Sequence, residues 1–277
     1  MIQISKRGAV SRKRNIAIRL AAIVLAIIVC AVITMATTGT DPLAVFSAFI
    51  NGSFGSERKL WIFLQDTAIL LIISLAVTPA FKMHCWNLGA EGQVLAGAMA
   101  AAACMVLLGD TMSNGALIAC MVIASVVTGA LWAGIPAFFK AKFNTNETLF
   151  TLMMNYVATQ IVAYFCVKWE NPVGSCTIGV INAQNEAGWL PQIGGYKYLL
   201  TILVVAVLTV LVYVYLNYSK HGYEISVVGE SERTARYVGI KVGKVIVRTM
   251  LLSGALCGFA GFLAVSAVSH TLSTSTA

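Results

Sequence analysis

Charge is scarce in this chain. Of its 277 residues only 11% are Asp, Glu, Lys or Arg, against about a quarter in a water-soluble domain. A soluble globular fold is therefore excluded. Acidic residues are the scarcer kind, 11 against 19 Lys and Arg, for a net charge of +8. In so apolar a chain that surplus marks topology rather than a nucleic-acid footprint, and no nucleic-acid partner is expected. The three histidines, His84, His221 and His270, are too scattered for a metal centre. The seven cysteines contain no CxxC pair and mostly fall in or beside apolar runs, so a disulfide framework or a zinc site is not expected; Cys176 alone lies clearly in a polar loop. The stretch 239–245, GIKVGKV, has a glycine-lysine pair, but the Walker A spacing is one residue short and no Ser or Thr follows the lysine. The chain itself should not bind ATP. HExxH, GxSxG and a plausible triad are missing too, so no enzyme, catalytic residue or cofactor is expected.

What is present is apolar length. Hydrophobic residues make up 58% of the chain and mean hydropathy is +0.83. They come in blocks of about 20, enough helix to cross roughly 30 Å of hydrocarbon. The fold class is an all-α integral membrane protein of about seven transmembrane helices, expected at 20–35, 60–77, 94–108, 115–138, 149–167, 198–218 and 245–268. Residues 1–19 are basic, with Lys6, Arg7, Arg12, Lys13, Arg14 and Arg19. A signal peptide shares that pattern, but the following apolar run is long for one and more spans succeed it. With the N-terminus inside, Lys82, Lys140, Lys142 and the six cations Lys220, Arg233, Arg236, Lys241, Lys244 and Arg248 fall on the same side. That is 15 of the 19 cations, leaving Arg58, Lys59, Lys168 and Lys197 outside. This bias places the N-terminus in the cytoplasm.

Polar residues interrupt the blocks at few places. Asp66 and Gln65 lie within the second span, where an ionisable group is expensive and marks either a functional site or a water-touching mouth. Pro79 should close that span, and 43–50 reads as a short interfacial turn. The segment 81–93, FKMHCWNLGAEGQ, is polar and glycine-containing between two spans. Irregular backbone there must be buried in protein or face a water-filled cavity. Asn155 and Gln160 lie inside the fifth span. Gly254 and Gly258, with Gly261 nearby, suit close helix packing in the seventh. Between the last two spans, 221–248 is too polar for hydrocarbon. Its centre reads as a short surface helix with Ser231 as N-cap, Glu232 at the positive helix start and Gly239 as a left-handed stop. Ala235 and Val238, three apart, would give it an apolar edge. Equally, the loop could be solvated, its charges setting only topology.

Three of these stretches carry a resemblance. Asn87 to Gln93, NLGAEGQ, resembles the NIGAEGQ signature of ATP-binding cassette (ABC) importer permeases of the ribose/branched-chain amino acid superfamily. Asn146-Glu147 followed by 151–156, TLMMNY, is similar to an element of the nucleoside/simple-sugar branch. Val228-Gly229-Glu230 through 235–240, ARYVGI, then 252–256, LSGAL, resembles that family's coupling segment and the helix after it. The resemblance covers roughly 15–277.

The resemblance implies a permease subunit in the cell membrane, surrounded by membrane lipid. It would work with a second permease, a cytoplasmic ATP-binding subunit and an extracytoplasmic substrate-binding lipoprotein, and carry a nucleoside or simple sugar. It assigns Asn87, Glu91, Gln93 and Asn155 to lining or bracing the substrate pathway, although Glu91 could equally serve a helix N-terminus. It assigns Glu230, Arg233, Ala235, Arg236, Tyr237 and Gly239 to coupling with the ATPase. Residues 1–19 would be a cytoplasmic segment, 20–268 the permease domain with its coupling loop at 219–244, and 269–277 a polar end where the family pattern continues into further spans, as in a C-terminally truncated chain. Two other classes stay open: an ion- or proton-coupled carrier using Asp66 and Glu91, and a structural membrane subunit without a pathway.

Overall fold

A computed structural model describes residues 12–192 and 197–276. Lys6, Arg7, Gly194, Gly195 and Ala277 lie outside the described residues. In order come α1 (Arg12–Thr38), α2 (Pro42–Phe54), α3 (Glu57–Lys82), α4 (Ala90–Leu108), α5 (Asn114–Phe143), α6 (Glu147–Lys168), α7 (Leu199–Tyr218), α8 (Lys220–Glu230), α9 (Glu232–Tyr237) and α10 (Val242–Leu263). The last runs on into a π-helical turn, Ala264–Ser269. Seven segments among the described residues are long and apolar enough to cross a membrane: α1, α3, α4, α5, α6, α7, and α10 with its π turn.

The chain divides within α3, after Phe63, into two units. In the first, α1 buries none of its residues although its apolar window has a mean hydropathy of 3.0. Such a helix is solvated by lipid or by another protein. Residues 43–50, expected as a turn, are helical: the Asp41 carboxylate accepts from the Leu43 amide at 3.0 Å and Pro42 occupies the first helical position, a pre-organised start.

In the second unit the core is a three-helix seam. Gly97 of α4, Gly129 of α5 and Gly258 of α10 meet backbone to backbone. A Cβ at any of them would fall within 3.0 Å of main-chain atoms of a facing helix. Gly254 meets Gly129 and Ala133, and Gly261 meets Val94 and Ala98, in the same way. The Ser125 hydroxyl donates to Gly97 O at 2.8 Å across α4 and α5. In lipid, where apolar burial does not drive helices together, small residues supply the van der Waals contact that does.

Several boundaries differ from expectation. Pro79 does not close its span. α3 continues to Lys82 with Pro79 and Ala80 buried, so tertiary packing outweighs the single main-chain bond that proline removes. Likewise α5 passes through buried Pro136 to Phe143, and Lys140 then pairs with Glu147 at 2.9 Å across the turn into α6. Within 221–248 a second helix, α8, precedes the expected short one. Its glycines Gly222 and Gly229 weigh against a helix locally, but each is pressed against a carbonyl, Leu216 O and Lys82 O respectively, where no larger residue fits.

Substituting Gly258 by Ala should force the seam apart, because the new methyl meets the Ser125 carbonyl rather than a flexible side chain. We expect a loss of about 1–3 kcal/mol, read as a lowered unfolding temperature in detergent. Gly52→Ala, with open space around it, should leave that temperature unchanged.

Candidate functional site

The signature residues form a closed amide network at the end of the bundle where α3 hands over to α4. From Met83 to Gly89 burial alternates, with Met83, Cys85, Asn87 and Gly89 inside and His84, Trp86 and Leu88 outside. Asn87 Oδ1 accepts from the Gly89 amide at 3.1 Å and from Gln93 Nε2 at 3.0 Å. Asn87 Nδ2 donates to Gln93 Oε1 at 3.3 Å and to Ser253 Oγ of α10 at 2.9 Å. Asn155 of α6 takes the Gly92 amide on Oδ1 at 2.9 Å and gives Nδ2 to Leu88 O at 2.9 Å. Gly89 and Gly92, one helical turn apart, allow this approach: a Cβ on the first would strike Thr151, and on the second Asn155.

Of the four residues expected along a pathway, Asn87, Gln93 and Asn155 are thus brought together and buried, Asn87 and Gln93 bonded to each other and Asn155 to the backbone of Leu88 and Gly92. Glu91 is not with them. It is exposed in the first turn of α4, where a carboxylate complements the helix dipole. Asp66 is exposed beside Ile69, Ala264 and Ser275 at the opposite end. Sixteen residues of α3 separate it from Lys82, about 24 Å of helix, so Asp66 and Glu91 do not form one titrating pair. Ser253 completes the network and Thr151 packs against Gly89; neither was singled out as a site residue from sequence.

The segment expected to couple to an ATPase forms a knob packed against residues 82–85. Ser231 is extended between α8 and α9, and its hydroxyl accepts from the Thr234 amide at 3.3 Å. α9 ends as expected at Gly239, φ +86. The Ile240 amide returns to Ala235 O at 2.9 Å and that of Gly239 to Arg236 O at 3.1 Å, a Schellman turn. Glu230, Arg233, Arg236, Tyr237 and Gly239 are exposed, Tyr237 by 93%, and Arg236 pairs with Glu232 at 3.3 Å. Ala235 is fully buried in one cluster with Met83, Cys85, Ile225 and Val228. Val238 does not share its edge as expected: it is 60% exposed, as the C-cap residue lying just beyond the end of α9 at Tyr237. Burial pushes the Cys85 thiol up to about 12, with Glu147 adding to the shift, so it is an inert packing group. His221 is held below its ordinary value by burial, Glu224 opposing and Arg248 adding to the shift, and its ring is hydrogen-bonded to the Tyr215 hydroxyl.

The opposite end holds a feature that scattered histidines did not reveal. His270, left-handed at φ +51 after the π turn, stacks on Trp189 with ring centroids 3.8 Å apart. It is buried, and neither ring nitrogen has a hydrogen-bond partner among the described residues. The loop is tied down by Ile181 N to His270 O at 2.8 Å and by Ser266 Oγ to Gly188 O at 2.5 Å.

Two outcomes follow. Asn155→Ala strands the Gly92 amide and Leu88 carbonyl, costing about 1–3 kcal/mol and lowering the unfolding temperature, whereas exposed Glu91→Gln should not. Burial, with Lys197 adding, lowers His270 to about 4. The unfolded state therefore takes up the proton first: stability is intact above pH 6.5 and falls as pH drops from there toward about 4. Melting curves between pH 7 and 4 should show that fall, and His270→Phe should reduce it.

Comparison with known proteins identifies the family. The family described as branched-chain amino acid transport system / permease component matches residues 60–276. The chain is 32% identical over 257 residues to the guanosine ABC transporter permease protein NupP of Bacillus subtilis (strain 168), covering 91% of this chain and 72% of that one. It is 28% identical over 240 residues to the glucose ABC transporter permease protein TsgB13 of Haloferax volcanii, covering 83% and 62%. It is 25% identical over 259 residues to the nucleoside ABC transporter permease protein NupB of Lactococcus lactis subsp. cremoris, covering 91% and 71%. No solved structure is significantly similar to it. The multi-span helical fold and the match over most of its length make the chain a member of the branched-chain amino acid transport system permease family, within the ribose/branched-chain superfamily of ABC permeases.

Proposed function

We propose that the chain is a permease subunit of an ABC importer that moves a nucleoside or simple sugar across the cytoplasmic membrane. A separate cytoplasmic subunit hydrolyses the ATP, a second permease completes the pathway, and an extracytoplasmic lipoprotein delivers the solute. The N-terminus and the α8–α9 knob face the cytoplasm, on the strength of the 15 to 4 distribution of cations. The observation that carries the reading is the join between knob and signature segment. Gly229 of α8 rests on the Lys82 carbonyl and Ala235 of α9 is buried with Met83 and Cys85, while the outer face of α9 is left bare. A motor gripping α9 would move the end of α3 and the start of α4 together, as rigid packed elements switch. Asn87, Gln93 and Asn155 brace the pathway on this reading rather than line it, since their amides bond one another and neighbouring backbone. A nucleoside is favoured as cargo because two of the three relatives described above are named for guanosine or nucleoside transport.

The test is a complete transporter assembled from this permease and its candidate partners in vesicles. Arg236→Ala or Gly239→Ala should leave insertion and assembly intact, and ATP hydrolysis should continue while solute uptake falls at least tenfold. Normal uptake in both variants would refute the coupling assignment. Uptake that survives ATP depletion but collapses with the proton gradient would replace the proposal with a secondary carrier.

A further inference from the structure

A basic cleft lies where α7 ends and α10 begins, bordered by Val238, Gly239 and Ile240 just after α9. Its volume is about 340 Å³, and Lys220, Glu224, Gly239, Lys241, Lys244 and Arg248 line it. Four cations therefore face one carboxylate. None of the four makes an ion pair within 4.0 Å among the described residues, where the only two pairs are Lys140–Glu147 and Arg236–Glu232. With Glu224 as the one carboxylate in the lining, the cleft keeps a surplus of positive charge that an anion would offset.

The arrangement is ordered. Lys241, Lys244 and Arg248 are spaced i, i+3, i+7, one face of the first two turns of α10. The stripe runs about 10 Å along the helix, from its start into the spanning segment. Lys241 is also the N-cap of α10 and offers no side-chain cap, so the positive end of a 22-residue helix opens beside the cleft. Tyr218, 77% exposed, and Tyr223, 66% exposed, stand on α7 and α8 next to Lys220, the aromatic belt expected at the level of lipid headgroups.

We propose that this cleft binds a phosphate anion, presented by the headgroup of an anionic phospholipid. Lys220 and Lys241 meet it at the rim, and Lys244 and Arg248 reach it from the wall, their aliphatic stems lying along α10. Because Gly239 and Ile240 form part of the lining, an occupied cleft stiffens the return from α9 into α10 and ties the coupling knob to the membrane surface. Residues of the opposite end take no part.

The test is native mass spectrometry of the purified 277-residue chain with phosphatidylglycerol or phosphatidylcholine, which needs no partner subunit and so does not depend on the transport reading. The unmodified chain should retain phosphatidylglycerol and release phosphatidylcholine. Each cation near a membrane surface is worth roughly fivefold in binding, so Lys241→Gln, Lys244→Gln and Arg248→Gln together should weaken retention on the order of a hundredfold. Lys142→Gln, at the same end but outside the cleft, should change nothing. Should the triple variant fail to fold, Lys241→Gln alone should still lose about fivefold, and the triple Lys241→Arg, Lys244→Arg, Arg248→Lys should keep full retention. Millimolar inorganic phosphate provides the second arm. No displacement of phosphatidylglycerol assigns the phosphate to lipid, and displacement assigns the cleft to a soluble phosphate. Equal retention of both lipids, or the same loss in Lys142→Gln, overturns the proposal. Unchanged phosphatidylglycerol retention in the glutamine triple also overturns it.

Discussion

Three helix backbones touch at Gly97, Gly129 and Gly258, and the remainder of the second unit is arranged by that contact. Side chains normally hold helix axes 8–10 Å apart, and here there are none in the way. A seam of main chain and hydroxyl, with Ser125 bonded to Gly97 O, has few rotamers to rearrange and no cavity to collapse into. α4, α5 and α10 therefore behave as one block. The large residues of the core, Phe262, Leu95, Met105 and Met121 among them, are fully buried.

The block creates a polar problem at one end and solves it there. Starting α4 beside α6 and α10 buries the free amides of its first turn, and each unsatisfied group at that depth would cost several kcal/mol. Asn87 uses all four of its bonding positions, and Asn155 satisfies one amide and one carbonyl from the same segment. The glycines of NLGAEGQ are then a consequence, since Thr151 and Asn155 occupy the space a β-carbon would need. The motif is a recipe for docking a helix start onto a neighbouring span, which is why its one carboxylate, Glu91, points out of the network.

Much of this was legible. The seven long apolar helices, the Gly254–Gly258 packing face, the Ser231 cap and the Gly239 stop each follow from local sequence rules. What was not legible depends on partners distant in sequence. Pro79 and Pro136 carry a local penalty that burial overrides, and the glycines of α8 look like breakers until Leu216 O and Lys82 O are placed against them. Asn87, Gln93 and Asn155 were recognisable as a set, but residue type alone does not say whether amides face a solute or one another. Ala235 and Val238 were paired by helical spacing, which fails because α9 ends at Tyr237 and Val238 is its C-cap. His270 gave no signal at all, because its surroundings, Trp189 and Lys197, lie more than seventy residues earlier.

The route from α9 to the signature segment is short and stiff for a physical reason. At Gly229 the contact is glycine main chain against the Lys82 carbonyl, so displacement passes between backbones without first being absorbed by rotamer changes. Ala235, the one buried residue of α9, sits in the cluster that also holds Met83 and Cys85. On the proposed coupling role, a push on the exposed face of α9 would reach residues 82–85 first, and the Asn87–Ser253 bond joins that segment to α10. A titrating mechanism would instead have to link Asp66 and Glu91, which stand at opposite ends of the bundle with the glycine seam between them. The glycine seam between those ends is packed main chain against main chain, which suits movement of α4, α5 and α10 as one block.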